Sequence, residues 1–299
     1  MATHSAEPLD ETEYPPEDRF TIVRDGGQLV YYRFGPPGRK AILAIHGITA
    51  HHRAWQWFAR TLVERGFTVF AVDLRGRGDS CGITGPFGFE SHANDCIAVL
   101  NHAGVEEADL IGHSMGAFVV TAVLAANPGK LVSRAVFIDG GVPLALPSGH
   151  TIETFMPALL GPALERLAMK FETKEAYQDY FKVHPSFTRG WNAGLSAYTD
   201  YDLRNHSPST RIAAVEADSR DLFVSEVVVR GLNSIQAECP VLLVRAERGL
   251  LNTNPLYSLE AIQEASSNYH IRVQTVPFNH YDIVLSQEGA DACIELIYT

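Results

Sequence analysis

Leu110-Ile111-Gly112-His113-Ser114-Met115-Gly116-Ala117 decides how this chain folds. The stretch contains the pattern G-x-S-x-G. Apolar Ala108-Asp109-Leu110-Ile111 leads into it, and the helix-prone run from Ala117 to Ala126 follows. Strand, sharp turn and helix around this pattern make it a nucleophile elbow. The turn strains Ser114, and glycine two residues to either side avoids collision. The hydroxyl is thereby pushed out at the C-terminal edge of a sheet, where the helix N-terminus offers N–H groups to developing negative charge.

Outward from the elbow, short apolar runs recur. Ala41 to Ile45 and Thr68 to Val72 read as strands buried on both faces, and Ser133 to Ile138, Cys239 to Val244 and Ile271 to Val276 as further strands. Helical patterns over Ala54–Val63 and Ser91–Ala103 separate the early ones. Phe20–Arg24 and Gln28–Phe34 alternate around Asp25-Gly26-Gly27, a hairpin signal. Alternating strands and helices predict an α/β fold, with a mostly parallel central sheet covered by helices on both faces. Between Val142 and Ala237 the alternation stops. That segment is helical in pattern, rich in aromatic residues and broken by Gly161-Pro162 and His184-Pro185. It reads as an inserted helical lid (142–237) between the core portions 19–141 and 238–299.

With 299 residues and 46% hydrophobic content, the chain can bury a substantial core. Its net charge of −11 and lack of a basic stripe argue against nucleic acid and anionic membrane as partners. The first 18 residues carry six acids and three prolines, which reads as a disordered acidic tail and not as a signal peptide. Cys81, Cys96, Cys239 and Cys293 stand far apart without metal or disulfide spacing, as reduced thiols in a cytoplasm do. No cofactor and no metal is called for. The oligomeric state is left open.

His46-Gly47, Asp73-Leu74-Arg75-Gly76-Arg77-Gly78-Asp79-Ser80, Gly112-His113-Ser114-Met115-Gly116 and Asn279-His280 resemble the motif set of the α/β-hydrolase fold, in order and spacing. The likeness runs from Phe20 to Thr299. The loops around Asp139-Gly140-Gly141, Arg245 to Asn252 and Val276 to Tyr281 are similar to a soluble actinobacterial subgroup that includes esterases of monoalkyl phthalates. The fold hosts many chemistries, so the motifs specify substrate poorly.

A serine hydroxyl is inert near neutral pH until a base takes its proton. The resemblance implies a base after the last strand, and His280 stands there in a short polar turn. The third member must hold the other imidazole nitrogen. The family's commoner station, the loop after Pro240–Val244, has Ala246 for its glycine and Gly249 where its aspartate should be. Glu247 is the acid nearby. Asp139, just past the Ser133–Ile138 strand, is the other location used in the fold, and it is favoured over Glu247. For the oxyanion, elbow geometry gives the Met115 N–H as one donor, and Ile48, after His46-Gly47, resembles the family's second. Asp73 and Asp79 read as structural, tied to Arg75 and Arg77.

A carboxylic ester hydrolase acting through an acyl-enzyme on a small-molecule ester follows, a phthalate-type aromatic monoester being one candidate. Hydrolysis of a carbon–carbon bond, lactone or amide on the same triad is the alternative, and a non-catalytic ligand sensor is a further one. A substrate carboxylate would need cations or donors. Those offered by the sequence are His51, His52, Arg53, Arg75, Arg77 and Arg189, with Trp191 as a pocket aromatic.

Overall fold

The computed structural model describes residues 15–126, 129–146, 149–187, 190–223, 225–235 and 239–299. Residues 1–14 of the expected tail and Arg189 lie outside them. The hairpin strands are β1 (Glu17–Arg24) and β2 (Gly27–Phe34). The elbow half follows as β3 (Lys40–Ile45), α1 (Gln56–Glu64), β4 (Phe67–Asp73), α2 (Phe89–His102), β5 (Ala108–His113), α3 (Met115–Ala125) and β6 (Val132–Ile138). Next come α4 (Ile152–Ala168), α5 (Lys174–Lys182), α6 (Ala193–Asp202), a short ladder of β7 (Leu203–Arg204) and β8 (Ser207–Pro208), α7 (Ile212–Asp221) and α8 (Glu226–Asn233). The chain closes with β9 (Val241–Arg248), α9 (Leu259–Tyr269), β10 (Arg272–Asn279) and α10 (Gln287–Tyr298).

The central sheet has the order β1-β2-β4-β3-β5-β6-β9-β10. β2 runs antiparallel to both neighbours, and the pairs from β4 through β10 are parallel. Because side chains alternate across a strand, β3 feeds two cores. Ala41, Leu43 and Ile45 pack on the face carrying α2, α3, α8 and α9, while Ile42 and Ala44 pack on the face carrying α1 and α10. α3 is buried from Met115 to Leu124, as a helix apolar on all sides must be. Side-chain caps from Thr173, Asn192, Ser258 and Ser286 start α5, α6, α9 and α10.

Two boundaries differ from the sequence reading. β1 already begins at Glu17, where Asp18 pairs with Arg33 at 2.6 Å and Glu17 with His52 at 3.3 Å, so the ion pairs draw two tail acids into the sheet. α8 belongs to the core and not to the insertion over the strand ends. Its Gly231 packs on the Thr121 carbonyl of α3, with Val228 and Leu232 buried beside it. No helix among the described residues is long and apolar enough to cross a membrane.

Candidate active site

Strand register brings the candidate residues together. His113 of β5 lies opposite Ile138 of β6, so Ser114 and Asp139 leave adjacent parallel strands at one level. Ser114 has φ 54° and ψ −123°, and its N–H donates to the Ile138 carbonyl at 2.8 Å. This strained backbone persists because the surroundings permit no other. A side chain at Gly116 would come within 2.0 Å of the Ile45 carbonyl, and one at Gly112 within 2.3 Å of the Gly116 carbonyl. The close approach of three backbone segments dictates both glycines.

Asp139 is also at positive φ (46°), and its N–H donates to the Val244 carbonyl of β9 at 2.8 Å. One carboxylate oxygen accepts the Ala246 N–H at 3.1 Å, and the other accepts His280 Nδ1–H at 2.6 Å. Fully buried, Asp139 reaches across the end of β9 to the residue that follows β10. Glu247 does not meet His280. It points to solvent and faces Arg248 at 3.4 Å. With its proton fixed on Nδ1, His280 presents Nε2 as the basic nitrogen. Its own carbonyl accepts Nε2–H of His113 at 2.8 Å. Burial, reinforced by the neighbouring His280, holds His113 far below the ordinary histidine range and therefore neutral.

The loop after β3 is held from beneath. The His46 Nε2 accepts the Leu74 N–H at 3.0 Å, which leaves Nδ1–H to donate to the Gly47 carbonyl at 2.8 Å. Burial lowers His46 to about 3, so this tautomer is neutral. The next residue, Ile48, has its carbonyl bound by Arg77 Nε at 3.0 Å, and its N–H meets no backbone acceptor among the described residues. Met115 opens α3, where the first N–H groups have no carbonyl one turn earlier. Arg77 Nη2 lies 4.0 Å from Met115 Sδ. The buried Arg77 guanidinium thus holds the Ile48 carbonyl and touches the Met115 side chain.

Ser114, His280 and Ile48 line a single cavity of about 290 Å³. Its other walls are largely apolar, with Phe118 from α3, Phe155 and Leu159 from α4, Phe181, Phe187, Leu250 and Leu285. The substrate-binding residues proposed from sequence are elsewhere. Arg77 is sealed in the core against Asp218 of α7 at 2.6 Å. Arg53 sits over the Tyr201 ring and reaches Glu17 at 3.7 Å. Trp191 donates its indole N–H to Ser196 at 2.8 Å, outside the cavity. His51 is fully buried between Tyr198 and Tyr201, neither ring nitrogen is hydrogen-bonded among the described residues, and burial lowers it to about 3. Arg75 is clamped on Asp95 through Nε and Nη2, both at 2.7 Å.

Asp73 and Asp79 are structural, with partners other than Arg75 and Arg77. Asp73 accepts His52 Nδ1 at 2.9 Å, the Asp79 N–H at 2.7 Å and the Tyr201 hydroxyl. Asp79 binds Arg19 at 2.8 Å and Arg204 at 2.6 Å. Each arginine is matched to a carboxylate remote in sequence, so spacing within the D-L-R-G-R-G-D-S turn carried no signal of it. Sequence reasoning had Tyr198 only as one of the insertion's many aromatics and missed Arg166 and Tyr281, and all three line the cavity. Helical periodicity alone could not say which face of the inserted helices turns inward, and Tyr281 lies outside them in the turn after β10.

Residues 40–285 match the family model described as alpha/beta hydrolase fold. The chain is 30% identical over 141 residues to a bifunctional esterase/perhydrolase of Acinetobacter calcoaceticus, covering 46% of this chain and about half (51%) of that relative's length. It is 29% identical over 263 residues to a non-heme chloroperoxidase of Burkholderia pyrrocinia, covering 80% and 92% of the two chains. Among solved structures, E-2-(acetamidomethylene)succinate hydrolase superposes with a TM-score of 0.77 at 22% identity, covering 95% of this chain and 100% of the other. Strand order, elbow and family match agree, and the chain belongs to the alpha/beta hydrolase fold family.

Proposed function

We propose that the protein is a serine hydrolase that cleaves small carboxylic esters through an acyl-enzyme. One observation carries the reading: Ser114 and His280 open into the same apolar cavity, and His280 is oriented from behind by buried Asp139 at 2.6 Å. His280 Nε2 takes the Ser114 proton as Oγ attacks the ester carbonyl. The oxyanion forms against the Ile48 and Met115 N–H groups, each worth about 3 kcal/mol of barrier in comparable sites. His280 then protonates the departing alkoxide, and a water activated by the same nitrogen releases the acid. The esterase relative, 30% identical over half its length, supports the ester class.

The cavity lies at the lower end of the roughly 300–1,000 Å³ range of ligand pockets, which favours compact substrates. Its phenylalanine walls suit an aromatic acyl or alcohol group, and a monoalkyl phthalate is the concrete candidate. Fluorophosphonate labelling of Ser114 together with repeated turnover of a p-nitrophenyl ester tests the reading. Labelling without turnover, or turnover that survives Ser114→Ala, would refute it.

A further inference from the structure

The apolar cavity contains one permanent charge among its described lining residues, and it is positive. Arg166, near the end of α4, is the single Lys or Arg there, and no Asp or Glu lines the wall. Only 5% of Arg166 is exposed. Its counterion stands outside the cavity: Nη1 donates to Asp202 at 3.0 Å and to the Tyr177 hydroxyl. Asp202 is further anchored by the Tyr177 hydroxyl and by Ser209, whose hydroxyl and N–H lie at 2.7 and 3.1 Å. The carboxylate is thus saturated by its own shell.

Arg166 leaves the other edge of its guanidinium unused. Nε and Nη2 have no hydrogen-bond partner among the described residues, yet neither is sealed from solvent. The same edge of Arg75 grips Asp95 with two bonds of 2.7 Å. That is the parallel, bidentate geometry a guanidinium offers a carboxylate. Three further donors line the cavity. The hydroxyls of Tyr198 and Tyr281 have no hydrogen-bond partner among the described residues. His184 Nδ1 accepts the Ser186 N–H at 3.2 Å, which leaves a proton on Nε2. The Arg166 guanidinium lies over the Phe181 ring at 5.1 Å, Phe181 packs on Phe187, and Phe187 meets both His184 and Tyr281, whose own rings are 5.6 Å apart. These groups therefore share one end of the cavity, and Tyr281 directly follows His280.

We propose that Arg166, with Tyr198, Tyr281 and His184, forms an anion subsite that selects esters carrying a free carboxylate. This rests on the esterase reading and assigns the charge preference to α4 and the histidine turn. It replaces His51, Arg53 and Arg77, which are buried or paired elsewhere. A bound neutral diester would cover the open guanidinium edge with apolar atoms, and a charged donor deprived of water and left unmatched is unfavourable.

The test compares mono-(4-nitrophenyl) glutarate with 4-nitrophenyl pentanoate, and monobutyl with dibutyl phthalate. The wild type should favour the anionic member of each pair in kcat/KM. Arg166→Gln should lower that preference by about tenfold or more, mainly through KM, with Arg166→Lys intermediate. Arg166→Gln/Asp202→Asn repeats the comparison without a stranded Asp202 should the single variant fold poorly. Binding of the glutarate monoester to Ser114→Ala, followed by calorimetry with and without Arg166→Gln, reads the subsite independently of turnover. Equal or greater preference for neutral esters, or calorimetric affinity indifferent to Arg166, overturns the subsite. Failure of the wild type to hydrolyse any of the four esters, with carboxylate binding intact, overturns the esterase reading alone.

Discussion

Replacing Asp139 by Asn tests the acid of the site while keeping its shape. An amide in that place can stabilise the wrong His280 tautomer, and an analogous change in a well-studied serine protease lowers kcat about 10⁴-fold. A loss of at least 10³-fold in kcat is expected here, against less than about threefold for Glu247→Gln, whose carboxylate faces solvent and Arg248. Steady-state kinetics on one p-nitrophenyl ester decide it, and the reverse ranking would move the acid to the later loop. Ser114→Ala and His280→Ala should each reduce turnover to the level of the double variant, because triad members act as a unit. Ser114 is legible in the sequence from its own motif, whereas His280 and Asp139 are placed by the resemblance to the α/β-hydrolase fold. The elbow needs glycines, the base must follow the last strand, and an acid must stand at a strand end. The places of Arg77, Arg53 and His51 are not legible in the sequence, because a charged side chain's partner is chosen by folding. Asp218, which pairs with Arg77, and Tyr198 and Tyr201, which enclose His51, come from helices far along the chain, and no local pattern announces them.

Helix α7 reaches the proposed oxyanion site through a chain of contacts. Its Asp218 holds Arg77, which holds the Ile48 carbonyl. Asp218 also accepts from His92 at 2.9 Å and the Gly88 N–H at 2.7 Å. Arg77→Met should therefore lower kcat by about 10- to 100-fold with KM little changed, since an oxyanion donor acts chiefly in the transition state. Asp218→Asn should fall between that variant and wild type. An unchanged kcat in folded Arg77→Met would show that the loop keeps its shape without the brace. The parallel sheet is legible because strands buried on both faces are continuously apolar. The placement of α8 is not, because one amphipathic helix serves equally as cap or as core. Its assignment depends on Gly231 meeting Thr121, a contact between distant segments.

For the whole molecule, buried histidines set the response to acid. Burial lowers His46 and His51 to about 3 and His113 well below normal, whereas the Asp73 carboxylate raises His52 against the opposing effect of burial. A histidine with a lowered folded value binds its proton more readily unfolded, so its contribution to stability falls as pH drops from about 6.5 toward 3. His52 acts in the opposite sense, its contribution being lost as pH rises through its raised folded value. Burial also lowers half-buried His184, so with four against one the urea midpoint should be lower at pH 5 than at pH 7. His51→Phe should narrow that gap and raise the midpoint at both pH values, since an aromatic ring keeps the stack on Tyr198 while removing two unmatched nitrogens. An unchanged gap in that variant would exclude His51 as a source.

Two of the three residues of the proposed triad, Ser114 and Asp139, sit in left-handed backbone conformations. Glycine adopts these without the penalty of about 1 kcal/mol or more that a side chain incurs. Ser114→Gly should thus melt higher than the active protein while hydrolysing nothing. A library sorted for thermal survival alone would drift toward dead enzymes at this very position, so any evolution of the molecule toward robustness has to be scored on turnover in the same round.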